Sequence, residues 1–508
     1  MISPMPTRSA LRSRTWLVVV VFLALAPLAA LAQRGDADAT LARIRAEGLE
    51  RSAALSLFLT LTDEIGARLT GSPAHVRSAN WARDRFAQWG LTNAQLEPFE
   101  FGAGWELLHV SAAMTQPRYF PLIAYPDAWS SSTAGMLSGH AVYIGDKTLE
   151  QVTAMGQQLK GRIILTHPPV TAFVERDRPQ PGLADAPVAT GNPPLPQARA
   201  PIPARALATL LQQVGAGVTI RPSTYTDGTV GVLGSRTTPR DAVPAIVVAT
   251  EQYNMMARLA VSGQPVVMTV ESRTRHHETD RNSYNVIAEI AGTDPAVRDE
   301  YVLIGAHLDS WHAANGATDN ADGVVAVMEA MRILRAIGAA PRRTIKVALW
   351  SGEEQGLLGA RAYIEQHLAT PEAQAKLQVY LNDDPGSGRT LGFYMEKNEA
   401  AKQFFDGWLA PLRDLGATIN VVEGIGSTDH VPFVEAGMPA FNAIKDFEGY
   451  DVRTRHTNAD FPERMSENEL KQQAVVMATF AWQAAMLDKR IPRAARTPTT
   501  DHTEARRR

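Results

Sequence analysis

Histidine and carboxylate residues gather at a few short points along the chain. His307-Leu308-Asp309 follows one apolar stretch, Asp319 lies in Gly316-Ala317-Thr318-Asp319-Asn320, and Glu353-Glu354 follows a second apolar stretch. Further on come Asn382-Asp383-Asp384, then Ser427-Thr428-Asp429-His430, then Arg455-His456-Thr457-Asn458-Ala459-Asp460. Taken singly, each has an ordinary structural use. Asp319 could cap a helix, Glu353-Glu354 could open one, and Asn382 to Gly386 could make a turn. Taken together, acids this dense without basic neighbours in sequence would repel one another. A divalent cation resolves that repulsion, and mixed imidazole and carboxylate donors suit zinc. The chain has no cysteine, which removes thiol nucleophiles, iron–sulfur clusters and thiolate zinc sites. Any metal must be held by His, Asp and Glu.

The elements that would position these groups show in the apolar pattern. Asn285–Ile290, Tyr301–Ile304, Thr344–Trp350 and Val379–Leu381 read as strands that are apolar on both faces. Helices at Asp322–Gly338 and around Leu357–His367 alternate with them. That alternation predicts an α/β fold with a mixed, largely parallel central sheet flanked by helices. Such sheets bind ligands beyond the C-terminal ends of their strands, where the acids and histidines fall. Nearer the start, residues 36–60 carry Leu41, Ile44, Leu49, Ala53 and Leu57 at helical intervals. A turn at Leu69–Pro73 leads to a helix over about Ala74–Trp89. The last helix opens at Ser466 with Glu469 three residues on, a capping box, and runs to about Leu487.

Between these halves the texture changes. Short β-rich pieces such as Ala141–Ile144, Arg162–Leu165 and Ala245–Val248 alternate with Gly and Pro, and eight of the thirty residues from Arg176 to Arg205 are proline. Residues 116–282 therefore read as an inserted β-rich domain with an irregular excursion. The catalytic fold is assigned to 33–115 and 283–490, and the tail 491–508 reads as disordered. At 508 residues, 45% hydrophobic and 20% charged, the chain is long enough for two or three domains. Its formal charge of -3 gives no basic excess to recruit nucleic acid. Arg8, Arg12 and Arg14 precede the apolar run Trp16–Ala32, which ends Ala30-Leu31-Ala32. This predicts a signal peptide over 1–32, and so a periplasmic or secreted protein without stable membrane insertion after cleavage. A retained anchor is the alternative, although the run is at the lower limit for spanning a bilayer and Pro27 interrupts it.

The ordered set His307-Leu308-Asp309-Ser310-Trp311, Gly316–Asn320 and Trp350–Gly356 resembles metallopeptidase family 28, the co-catalytic zinc aminopeptidases and carboxypeptidases. Within it the chain is most similar to the carboxypeptidase Q-like branch, also called plasma glutamate carboxypeptidase-like. The likeness extends over roughly Asp36–Leu487 and includes Gly66–Ser72. It implies a zinc-exopeptidase fold with an inserted protease-associated domain. It also implies two Zn2+ ions bridged by Asp319, with His307 and Asp384 completing one site and Glu354 and His456 the other. Glu353 would be the general base, and Asp309 would accept the free N–H of the His307 ring. The family pattern selects Asp384 over Asp383, and the His-Thr-x-x-Asp form selects His456 over His430. Ser427, Asp429 and His430 are then candidates for the substrate pocket. The family's aminopeptidases often carry Tyr before the last histidine, where this chain has Arg455. The expected activity is hydrolysis of short peptides or dipeptides, with an aminopeptidase acting on longer peptides as the alternative. A catalytically inactive binding ectodomain and a single-zinc glutaminyl cyclase-like acyltransferase are the readings of other classes. Both fit poorly with a complete ligand set and base. A homodimer is left open.

Overall fold

The protein is described here by a computed structural model that covers residues 38–182 and 202–494. The expected signal peptide, most of the proline-rich excursion and most of the 491–508 tail lie outside the described residues. Two eight-stranded sheets organise the rest. In the first, Thr344–Trp350, Tyr301–His307, Leu377–Asn382 and Ala440–Asp446 form a parallel core. Asn282–Ile290 and then Thr92–Glu100 extend it by antiparallel pairing on one side; on the other, Ser387–Tyr394 pairs antiparallel with Ala440–Asp446 and Ile419–Val421 pairs parallel with Ser387–Tyr394. Tyr301–His307 is buried along its whole length, as a central strand covered on both faces must be.

Helices Asp322–Ala336 and Glu467–Met486 pack together on one face over Val324, Val327, Met331, Val475 and Phe480. Helix Leu358–His367 covers the other face with Trp350, Tyr363, Tyr380 and Phe433. The expected capping box is present, with the Ser466 hydroxyl accepting from the Glu469 N–H and the Glu469 carboxylate from the Ser466 N–H. The helix expected over 36–60 is divided. Residues 38–50 form one helix, and Ala54–Leu59 and Thr60–Ile65 continue after a break. At the break, the Ser52 hydroxyl and Ala53 N–H both donate to the buried Glu329 carboxylate, which draws the chain out of the helical path. Strands Thr92–Glu100 and Ser387–Tyr394 have no counterpart in the sequence reading. Pro98 lies in the first and two glycines in the second, and such residues weaken a strand signal.

The second sheet begins at Gly104, earlier than the 116 boundary expected. Gly104–Gln116 pairs antiparallel with Val267–His277 in a long ribbon. Beyond it Leu137–Tyr143, Ile163–Leu165, Val218–Pro222 and Ala245–Val248 run parallel. Parallel neighbours need crossovers, and helices Leu149–Met155 and Ala204–Val214 supply two of them. The region around this second sheet is thus α/β rather than simply β-rich. Among the described residues no helix is long and apolar enough to cross a membrane.

One buried ion cluster ties the first sheet to the loops above it. Lys445 lies with its Nζ 2.8 Å from both Asp322, which opens a helix, and Asp383, which follows a strand. All three are buried. Burial raises the Asp322 carboxyl to about 6, with Lys445 opposing and Asp383 adding to the rise. Removing the cation leaves two buried carboxyls without a counter-ion, and the Asp322 carboxyl, already raised by burial, rises further above its unfolded value. Such a group favours the folded form at low pH and opposes it as pH rises through the unfolded value. Lys445→Met should therefore cost about 3–5 kcal/mol in urea unfolding near neutral pH, with the loss shrinking on acidification. A small, pH-independent loss would contradict this account of the cluster.

Candidate metal centre

The C-terminal ends of the parallel strands converge on Asp319. His307 ends its strand, Glu353 and Glu354 follow Thr344–Trp350, and Asp384 follows Leu377–Asn382. His456 arrives on a separate loop after the strand Ala440–Asp446, at a φ of 57°. One Asp319 carboxylate oxygen lies 3.2 Å from His307 Nε2, and the other lies 3.3 Å from His456 Nε2. Asp384 stands 3.7 Å from His307 Nε2, and Glu354 stands 3.1 Å from His456 Nε2. His307, Asp319 and Asp384 form one group able to hold a metal ion, and Asp319, Glu354 and His456 form a second. Asp319 belongs to both.

The donor chemistry fits cations. Asp319 Oδ2, Glu354 Oε1 and Asp384 Oδ1 are buried without a hydrogen-bond partner, a costly state for an anion that a metal would relieve. The pKa directions express the same demand for positive charge. Against the cost of burial, Glu353 and the surrounding aspartates push His307 well above the usual imidazole range, and Glu354 and Asp319 push His456 up to about 9. Burial pushes the Glu353 carboxyl well up; His307 opposes this, while Asp384, Glu354 and Asp429 add to it.

His307 Nδ1 is 2.9 Å from the main-chain carbonyl of Asp309. A carbonyl only accepts, so Nδ1 carries a proton, and Nε2 is the ring nitrogen that faces the cluster and would bind a cation. The Asp309 carboxylate, expected as that acceptor, is 3.7 Å from Nδ1. It instead accepts the Thr70 hydroxyl at 2.8 Å and lies within reach of the N–H groups of Glu353 and Glu354 at 3.3 and 3.4 Å. It therefore orders the loop bearing both glutamates. The indole of Trp311 donates to Glu354 Oε2 at 2.7 Å.

Of the three substrate-pocket candidates, Ser427 lines a cavity of about 480 Å³ beside the cluster, together with Tyr450 and Arg455. Asp429 and His430 do not line it. Both are buried, and His430 Nε2 meets Glu396 at 3.0 Å. Asp429 stays close enough to raise the pKa of Glu353.

Sequence reasoning missed the groups that fix the Asp319 loop. Asp460 accepts the N–H and hydroxyl of Thr318 and the N–H of Asp319. Arg68, wholly buried, donates to the carbonyls of Leu61, Gly66, Leu308, Asn315 and Gly316. Gly316 adopts a φ of +60°, and a Cβ there would meet Ser310 at 2.3 Å. The resemblance over Gly66–Ser72 contained Arg68 and Thr70 without giving either a role.

The insert also reaches the centre. Val232 N–H donates to the His456 carbonyl at 2.9 Å, and the Tyr225 hydroxyl donates to that of Arg455 at 3.1 Å. Val230 exchanges hydrogen bonds with Asn458. From the excursion, Arg178 pairs with buried Asp451, and Asp177 accepts the N–H groups of Gly449 and Val452.

A hydrolase whose centre is built from His and carboxylates at the ends of a parallel sheet is the class that this fold and site define. The comparisons place it more closely. Residues 285–481 match peptidase family M28. Carboxypeptidase Q of Mus musculus is 27% identical over 440 residues, covering 85% of this chain and 86% of the relative. The human carboxypeptidase Q is 24% identical over 469 residues, covering 91% and 92%. A solved peptidase M28 precursor from Shewanella amazonensis is 25% identical with a TM-score of 0.68, covering 91% of this chain and all of that one. A zinc aminopeptidase from Bacillus subtilis, at 17% identity and a TM-score of 0.56, shares the fold over 86% of this chain and 98% of its own. Residues 285–481 thus carry the likeness to peptidase family M28, and the chain is a zinc metallopeptidase of the exopeptidase kind.

Arg68 has no carboxylate hydrogen-bonded to it, and its work is to hold five carbonyls. Arg68→Met should lower stability by about 3 kcal/mol or more in urea unfolding and reduce zinc retained after gel filtration. Unchanged stability and zinc content would contradict that role.

Proposed function

We propose that the chain is a two-zinc exopeptidase that hydrolyses short peptides, dipeptides among them, outside the cytoplasm. The observation that carries this reading is the carboxylate of Asp319, which presents one oxygen to each of two ligand groups. His307 and Asp384 would complete one zinc site, and Glu354 and His456 the other. Bound there, zinc would polarise the scissile carbonyl and make the attacking water more acidic.

Glu353 would take the water's proton and deliver it to the leaving amine. Its place in the cavity wall, beside both ligand groups, suits this. The Glu353 backbone is tied to Asp309, whose own carbonyl orients His307. Adjacent Glu353 and Glu354 thus divide the work, one moving protons and the other holding metal. No covalent intermediate is needed.

Likeness to proteins named carboxypeptidase Q over most of the chain supports release of C-terminal residues over an aminopeptidase on longer peptides. The inserted segment, read as a protease-associated domain, would narrow access to the cavity. Export rests on the basic and apolar N-terminal pattern. A catalytically silent ectodomain or a single-zinc cyclase would leave unexplained why both ligand groups and the base are present.

Glu353→Gln keeps the shape of the side chain and removes its basicity. The variant should fold, bind zinc as the unaltered protein does, and lose about 10²–10⁴-fold in kcat on dipeptides. Turnover near normal would remove Glu353 from the mechanism.

A further inference from the structure

The cavity beside the centre is strongly acidic, with Asp319, Glu353, Glu354 and Asp384 in its wall. Arg361 and Arg455 are the guanidinium groups in that wall. They differ in what they already hold. Arg361 is exposed, and its Nη1 lies 3.2 Å from Glu435. Arg455 is only 8% exposed, and its Nη1 is buried without a hydrogen-bond partner.

The anion nearest Arg455 is Asp451, with an oxygen 3.9 Å from Nη1. That carboxylate is already engaged by Arg178, whose Nε and backbone N–H donate to one oxygen and whose Nη2 donates to the other. Two guanidinium groups therefore share one buried carboxylate, and Arg178 has the hydrogen bonds. A buried guanidinium is costly unless its donors are met, and its planar fork matches a carboxylate. The Arg455 backbone is held independently, through the Tyr225 hydroxyl on its carbonyl and its own N–H on the Tyr450 carbonyl. The side chain is thus fixed at the cavity with bonding capacity to spare. This is also the position at which the sequence departs from the tyrosine of the family's aminopeptidases.

We propose that Arg455 binds the free α-carboxylate of the peptide substrate, so that good turnover requires an unblocked C-terminus. The inference rests on the peptidase reading and deepens it by naming the side chain that would recognise the C-terminal end of the substrate. With Asp319, Glu354 and Asp384 committed to holding cations, Nη1 of Arg455 is a donor left over for a carboxylate in the cavity. Arg455 then sets specificity and takes no part in proton transfer.

The test compares alanyl-leucine with its C-terminal amide on the full-length, zinc-loaded protein, as wild type, Arg455→Met and Arg455→Lys. Calorimetric binding of leucine against leucinamide gives a second readout that needs no turnover. The wild type should favour the free acid by roughly tenfold or more in kcat/KM, chiefly through KM. Arg455→Met should lose that preference, with KM for the free acid rising toward that for the amide, and Arg455→Lys should keep part of it. Leucine should bind the wild type more tightly than leucinamide does, and Arg455→Met should abolish the difference. Equal wild-type rates on acid and amide would overturn the proposal. So would an Arg455→Met variant that slows both substrates alike, or one that retains the preference. Absence of any peptide cleavage by zinc-loaded wild type would count against the peptidase reading instead, and the calorimetric comparison would still decide the role of Arg455.

Discussion

One carboxylate shared between two imidazoles is the constraint on which the site depends. Asp319 faces His307 with one oxygen and His456 with the other, at 3.2 and 3.3 Å. These two histidines come from different parts of the chain, one at the end of a central strand and one on a loop. Bringing them to opposite sides of one side chain requires the loop before helix Asp322–Ala336 to be held rigidly. Asp460 grips its main chain from one direction, and Arg68 gathers the carbonyls of neighbouring turns from another. Below, Lys445 neutralises Asp322 and Asp383. The structure thus spends several buried charges on placing one more.

The insert belongs to the same framework. Its Tyr225, Val230 and Val232 contact the loop carrying Arg455, His456 and Asn458. Asp177 and Arg178 fasten the preceding turn at Gly449–Val452. The last histidine therefore owes its position to residues of both sheets. A cap that only covered the cavity would not need hydrogen bonds to the main chain of a ligand-bearing loop.

The sequence was most legible where burial is continuous. Thr344–Trp350 is apolar on both faces and was located to the residue, as was the Ser466 capping box, because each depends on neighbours close in the chain. His307, Glu353–Glu354 and Asp384 stand after strands that the apolar pattern locates, whereas Asp319 and His456 lie on loops and were singled out by the family resemblance. Less legible were features that depend on distant partners. The break at Ser52–Ala53 exists because Glu329 is buried far along the chain. The carbonyl contact of His307 could not be told from a carboxylate contact by spacing, since both come from Asp309. Arg68 and Asp460 act on main-chain groups and leave no periodic trace. His430 was a pocket candidate by its neighbours in sequence, but its ring turns to Glu396.

The most direct measurement is anomalous diffraction at the zinc edge from crystals of the metal-loaded protein. The account predicts two peaks about 3.5–4 Å apart, flanking the Asp319 carboxylate. One should lie against His307 and Asp384, and the other against Glu354 and His456. A single peak, or a pair that does not have Asp319 between its members, would contradict it.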